Sequence, residues 1–124
     1  MKRCLLICLV ILMLTACSKA PFAIDDQHKK YGEKALEIAD KFLDYDLSLD
    51  EAAAKLEDLT DMAGSLPNVS KNDENRFGNE RVVARVDLLE TQFNLAMIVG
   101  LEKQSAEILD ARNSLAEILG TPSR

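Results

Sequence analysis

Along most of the chain, apolar residues recur every three or four positions, which is the period of an amphipathic helix. The first such stretch runs from about Asp25 to Tyr45, and its apolar face consists of Tyr31, Ala35, Ile38, Phe42 and Tyr45. The second begins at Ser48-Leu-Asp-Glu51, which matches a capping box, and ends at Gly64-Ser-Leu-Pro67. Its apolar face consists of Ala52, Leu56, Leu59 and Ala63, with Leu49 and Met62. Because only a few residues separate the two stretches, we predict an antiparallel helical hairpin.

The third stretch begins near Glu74 and continues to about Leu119. Its first half has a heptad-like seam, and its second half has a seam displaced by one residue. The first seam consists of Val82, Val86, Leu89, Phe93, Ala96 and Gly100, and the second of Leu101, Ile108, Arg112, Leu115 and Leu119. The pattern favours one long C-terminal helix that bends near Gly100.

Such a helix would be about 68 Å long and would overhang the hairpin, whose helices would reach about 30 and 24 Å. Three alternatives stay open for its second half: a break near Gly100 that folds it back as a fourth helix, contact with another chain, or partial disorder. The predicted fold class is all-α, a helical hairpin plus one long C-terminal helix, similar to a three-helix bundle.

The amino-terminal residues have a continuous apolar run instead of a periodic pattern. Lys2 and Arg3 precede eleven uninterrupted apolar residues, Cys4 to Leu14, which is the arrangement of a secretory signal. A helix of that length covers about 16 Å, roughly half the hydrocarbon core of a bilayer. A permanent membrane-spanning helix is therefore the weaker interpretation.

The sequence Leu14-Thr15-Ala16-Cys17 resembles the lipobox of bacterial lipoproteins, in which an apolar residue and two small residues precede a cysteine. The resemblance covers only the amino-terminal end of the chain. It implies a diacylglycerol on the Cys17 sulfur, cleavage before Cys17 by the lipoprotein signal peptidase, and often acylation of the new amino group, for example by palmitate. Cys17 is thus the predicted lipidation site. The alternative is an ordinary signal that is cleaved elsewhere.

The resemblance also implies a location on the exported side of a membrane. Ser18 follows the cysteine where Asp would favour retention, so in enteric-type Gram-negative bacteria the outer membrane is implied. In a Gram-positive source the site would be the outer face of the cell membrane. The predicted organisation is a signal at 1–16, a lipidated tether at 17–24 and one helical domain at 25–120.

The net charge and the cysteine content limit which partners and cross-links the domain can have. Removal of Lys2 and Arg3 with the signal takes the formal net charge from −6 to −8. An acidic domain of this kind is not suited to nucleic acid, and it gives no polybasic help in holding an anionic membrane. Because Cys4 and Cys8 leave with the signal, no cysteine pair stays behind to form a disulfide.

One segment has a spacing that suggests a metal site. Asp44, Asp46, Ser48 and Asp50 resemble the opening of an EF-hand calcium loop, in which oxygen ligands fall on alternate residues. The match then fails, because Leu49 occupies the glycine position and Lys55 the position of the final glutamate. A helix end followed by a capped helix start explains the same residues, so we predict no metal here.

The remaining candidate residues are few. His28 is the only histidine, and Cys17 is the only cysteine after the signal, so zinc has no set of ligands. We predict that His28 is a solvated surface residue near a helix start. The isolated glycines form no phosphate-binding loop, and no nucleophile motif accompanies the histidine. We expect no catalytic residues, no cofactor and no enzymatic activity.

Arg76, Arg81 and Arg85 form a basic cluster at the start of the third stretch. We predict that they pair with the hairpin at 25–66, which has 12 acidic residues and 5 lysines. Contact with a partner or with lipid head groups is the alternative. The expected function is a membrane-anchored binding module of the cell envelope. The competing hypothesis is a structural or assembly component that self-associates through Ala96–Leu119 of the long helix.

Overall fold

The computed structural model describes residues 20–68 and 73–124, and within them the fold is entirely helical. The predicted all-α class is confirmed. The helices are α1 (Asp26–Leu43), α2 (Leu49–Asp61), α3 (Arg76–Val99) and α4 (Leu101–Leu119), with a short 3-10 turn at Ala63–Ser65 after α2.

The hairpin of α1 and α2 is fixed by its caps. Asp25 caps α1, and Ser48 caps α2 by accepting a hydrogen bond from the Glu51 backbone N–H at 3.2 Å. The Ser48 hydroxyl also donates to the Glu51 carboxylate at 3.1 Å. The predicted capping box is therefore confirmed, and the two helices run side by side in opposite directions.

Two residues assigned to the apolar face of the hairpin are exposed instead. Tyr45 is 96% exposed and Met62 is 54% exposed. Both follow the last residue of their helix, so the helical period no longer fixes their direction. Tyr45 adopts a left-handed backbone conformation with φ of 64° where the chain reverses.

The prediction of one long C-terminal helix is wrong, because the helix breaks at Gly100. This residue has φ of 100°, a value that favours glycine, and its N–H donates to the carbonyl oxygen of Ala96 at 3.0 Å. Beyond the break α4 turns back along α3, and the side chains of Gln92 and Gln104 form a hydrogen bond across the two helices. The fourth-helix alternative is the one observed, since folding back buries the apolar face of α4 inside the same chain.

The core lies between all four helices. Its largest fully buried side chains are Phe93, Leu56, Leu89, Ile108, Leu115, Val82 and Val86. The rings of Phe42 and Phe93 meet edge to face, with centroids 5.0 Å apart. Both predicted seams are confirmed as buried between Val82 and Ala96 and between Ile108 and Leu119.

Paired contacts along the helices give their relative directions. Asp25 meets Asn79 at one end of the bundle, and Phe42 meets Phe93 further along, so α1 and α3 run in the same direction. The α3–α4 hairpin ends in a tip, Met97–Lys103, whose residues are all exposed. The start of the domain and this tip therefore lie at opposite ends of α3.

Candidate functional site

The predicted lipidation site, Cys17, and the signal at 1–16 lie outside the described residues. The described chain begins at Ala20, within the predicted tether. Part of that tether packs on the domain, because Phe22 and Ile24 lie against the core. The residues at this junction are therefore the candidate functional site.

We call this junction the tether clamp and define it by Phe22, Ala23, Asp25, His28, Gly78, Asn79 and Arg81. Its first contacts are made before α1 begins. The Arg81 guanidinium carbon lies 4.7 Å from the centroid of the Phe22 ring, in cation–π geometry. The Ala23 carbonyl comes so close to α3 that a Cβ on Gly78 would lie only 2.0 Å from its oxygen. Glycine is thus required at this position by the close approach of two backbones.

Asp25 is the centre of the second half of the tether clamp. Its carboxylate accepts hydrogen bonds from the His28 backbone N–H at 2.8 Å, from Nδ1 of His28 at 2.9 Å and from Nδ2 of Asn79 at 2.8 Å. Its own backbone N–H donates to Oδ1 of Asn79 at 3.0 Å. One carboxylate therefore caps α1 and fastens it to α3.

The prediction that His28 is a solvated surface residue is wrong. Its side chain is buried, with 6% of the residue exposed. The reason is the neighbouring Asp25, whose carboxylate accepts a hydrogen bond from Nδ1 of His28. With this polar atom paired, the ring can be buried against the bundle. Burial raises the pKa of the Asp25 carboxyl, but the hydrogen bonds from His28 and Asn79 outweigh burial and hold that pKa below its ordinary value.

Beside the tether clamp lies an open cleft of about 400 Å³. Its polar wall consists of His28, Asn68, Arg76, Asn79, Glu80 and Asp87, and its apolar wall of Ala63, Leu66, Pro67, Val83 and Ala84. Burial and the nearby charge of Glu90 raise the pKa of the Asp87 carboxyl. The cleft therefore has positively and negatively charged side chains beside an apolar surface. This composition is suited to binding a ligand that carries a polar group.

A second polar cluster fastens α4 and the carboxy-terminal residues to α1. Arg112 is only 3% exposed and donates to both carboxylate oxygens of Asp40, from Nε at 2.8 Å and from Nη2 at 3.1 Å. Its Nη1 donates to the carbonyl oxygen of Pro122 at 2.7 Å. Arg124 joins the same cluster through Asp40 and Asp44. Burial raises the pKa of the Asp40 carboxyl, but the hydrogen bonds and charge of Arg112 outweigh it and lower the pKa.

From the lowered pKa values of the Asp25 and Asp40 carboxyls we predict that the domain loses stability in acid. Asp25 and Asp40 have lower pKa values in the folded chain than the ordinary 3.8, so each contributes stability above that pH and loses it as the pH falls through the lowered value. We expect the urea midpoint to change little between pH 7 and pH 5, which lie above both values, and to fall steeply in more acid solution. In the double variant Asp25→Asn, Asp40→Asn the acid fall should be much shallower, whereas the exposed control Asp58→Asn should keep it. An equally steep fall in the double variant would contradict this assignment.

The segment that resembles an EF-hand opening is used as a helix boundary. Ser48 caps α2, and Asp44 binds Arg124. Within residues 20–68 and 73–124, no group of three or more metal-binding side chains comes together.

The predicted pairing of the arginine cluster with the acidic hairpin is wrong for all three of its members, because no ion pair joins any of them to residues 25–66. Arg76 pairs with Glu80 one turn further along α3, at 3.1 Å, and Arg81 lies over Phe22. Arg85 forms no ion pair with any of the described residues. For Arg76 the reason is position, since Glu80 lies one turn further along the same helix.

Sequence reasoning missed the two clusters that hold the bundle together. Asn79 and Asp25 are separated by 54 positions, so no local pattern joins them. Arg112 carried a signal, because it is a charged residue within an apolar seam, and a buried charge requires a partner. The sequence alone did not identify Asp40 as that partner.

The described part of the chain thus defines a small four-helix domain whose amino-terminal segment is fixed to the bundle. None of its helices combines the length and the apolar character that crossing a membrane requires. Comparison with protein-family models, curated proteins and solved structures finds no match to this chain.

Proposed function

We propose that this protein is a lipid-anchored interaction module of the bacterial cell envelope, attached to its membrane through Cys17. The observation that carries the proposal is the box Leu14-Thr15-Ala16-Cys17, placed directly after a basic start and an apolar run. Two or three acyl chains, at about 0.8 kcal/mol for each buried methylene, attach a protein far more tightly than one chain does. The anchor needs no help from the acidic surface of the domain.

The tether clamp supports an orienting role for this anchor. Five residues separate Cys17 from Ala23, where the chain is already packed on α3. At roughly 3.3–3.6 Å for each residue, such a segment spans at most about 20 Å. The lipid would therefore hold the α3 start close to the membrane. The cleft beside the tether clamp and the outer face of α3 are then the surfaces offered to partners.

The anchor is tested by replacing the lipid-bearing sulfur. The variant Cys17→Ser should lose all labelling by a fatty-acid probe, because serine has no thiolate to accept the diacylglycerol, and it should accumulate as the uncleaved precursor. Cys8→Ser is the matched control, since this cysteine lies inside the apolar run and should leave labelling and processing unchanged. Labelling of Cys17→Ser at the level of the unaltered chain would refute the proposal.

A self-associating structural component is the second candidate function. Within the segment predicted to self-associate, Ala96–Leu119, the side chains of Ile108 and Leu115 are buried in the chain's own core. The observation that favours it lies elsewhere, on the exposed face of α3.

A further inference from the structure

Helix α3 is apolar on two opposite faces. Its inner face is buried in the core, from Val82 to Ala96. A second row of apolar residues, which we call the outer stripe, consists of Phe77, Ala84, Leu88, Leu95 and Ile98. All five are exposed, most strongly Phe77 at 67% and Ile98 at 80%. The outer stripe begins at the tether clamp and ends at the α3–α4 tip, so it follows the whole length of the helix.

The spacing of the outer stripe is that of a coiled-coil seam. The a positions are Arg81, Leu88 and Leu95, and the d positions are Phe77, Ala84, Thr91 and Ile98. The Arg81 guanidinium lies over the Phe22 ring of its own chain. One edge of the seam, the g positions, is acidic, with Glu80 and Asp87. The opposite edge, the e positions, has Arg85 and Gln92.

The two edges of the seam are complementary in charge to those of a second copy of α3. In a parallel pair of helices, a g residue of one chain faces the following e residue of the other, five positions further on. Glu80 would then face Arg85 of the second copy, and the two-fold axis would produce this pair twice. Among the described residues of its own chain, Arg85 forms no ion pair and Glu80 pairs only with Arg76.

A bilayer surface fits the outer stripe less well. Helices that lie in a membrane interface are rich in lysine and arginine on the face opposite the apolar one. Here one edge has two carboxylates, and the whole chain has a formal net charge of −6. A surface with one acidic and one basic edge matches another copy of itself, turned about a two-fold axis.

We propose that two copies of this chain associate as a parallel dimer through the outer stripe of α3, with Glu80 of each copy paired with Arg85 of the other. The parallel direction rests on the proposed function, because two copies anchored in one membrane by short tethers both have the start of α3 nearest the lipid. The dimer would present two α3–α4 tips side by side, at the end far from the anchor.

Disulfide cross-linking of the full chain in its membrane tests both the contact and its direction. In a parallel dimer each residue of the outer stripe faces its own counterpart, so Leu88→Cys and Leu95→Cys should each give a covalent dimer on mild oxidation. These positions are about 10.5 Å apart along the helix. In an antiparallel pair only residues at the crossing point meet their counterparts, so at most one variant would cross-link. Glu33→Cys, on the exposed face of α1, is the control and should stay monomeric, and the unsubstituted chain reports any disulfide made by Cys17.

Charge reversal tests the pairing of the edges. Glu80→Lys places lysine opposite Arg85, and Arg85→Glu places glutamate opposite Glu80, so each single variant should weaken association about tenfold. The double variant restores opposite charges and should recover the cross-linked fraction seen with Leu88→Cys alone. The helix signal in circular dichroism, measured on the same variants, confirms that the monomer is folded.

Each outcome decides one of the two proposals. Cross-links at both positions with no lipid label would overturn the anchor and keep the dimer. A lipid label without dimers would overturn the dimer alone, as would cross-linking at only one of the two positions. A disulfide between Leu88→Cys and a cysteine of an unlike protein, in place of the dimer, would assign the outer stripe to that protein and overturn the dimer as well.

Discussion

Replacing Gly78 with alanine should detach the amino-terminal segment from the domain. A Cβ on residue 78 would lie 2.0 Å from the Ala23 carbonyl oxygen and 2.8 Å from Cγ1 of Ile24. The first of these atoms belongs to the main chain, so no change of rotamer can relieve the clash. We expect the free energy of unfolding to fall by about 3 kcal/mol, the upper end of the cost of overpacking.

Gly64→Ala is the matched control for this substitution. Gly64 lies in the 3-10 turn after α2, and a Cβ there meets no atom within 4 Å. That variant should be neutral or slightly stabilising, because alanine restricts the unfolded chain more than glycine does. Urea unfolding of both variants, together with the rate of proteolysis between residues 20 and 25, gives the comparison. Equal urea midpoints and equal cleavage rates for the two variants would show that the close approach at Gly78 does not contribute to the stability of the domain.

The same substitution connects the tether clamp with the dimer. A detached segment would lengthen the path between Cys17 and the bundle and would remove the fixed direction of α3 relative to the membrane. The outer stripe itself would be unaltered. The cross-linked fraction of Leu88→Cys should therefore be smaller when Gly78→Ala is also present. The size of the decrease measures the contribution of the oriented anchor to dimer formation, as distinct from that of the outer stripe.

The faces of the helices could be predicted from the sequence, but the path of the chain could not. The seam from Val82 to Ala96 follows from periodicity, because a core face repeats every three or four residues wherever the helix lies. A displacement of one residue near Gly100 is compatible with a bend or with a full reversal. Only the burial of Ile108 and Leu115 against the other helices decides between them, and that contact is not local.

In the candidate site, too, some features could be predicted from the sequence and others could not. Cys17 could be proposed because its motif is contiguous, and the Ser48 cap because capping involves residues three positions apart. The burial of His28 depends on Asp25, which is local, but also on Asn79, which comes from another helix. A residue's exposure is decided by all its neighbours, so the pattern around His28 alone gave the wrong answer.

Replacing Asp40 with alanine should destabilise the domain strongly, because it leaves the charge of Arg112 buried without its carboxylate. The side chain of Arg112 is 4% exposed, and both of its hydrogen bonds to Asp40 would be lost. Breaking a buried pair by removal of one partner typically costs 3–5 kcal/mol, and we expect about 3 kcal/mol here because Pro122 still accepts one hydrogen bond.

The second substitution, Arg112→Met, shows whether the buried charge is the cause. In the Asp40→Ala background it removes that charge and keeps the volume of the side chain, so the double variant should be more stable than Asp40→Ala alone. Arg124→Met is the control, because this arginine contacts the same carboxylate from the surface and its loss should have a far smaller effect. A double variant less stable than Asp40→Ala would mean that the Arg112 side chain stabilises the bundle by packing and by its bond to Pro122, and that its isolated charge costs little.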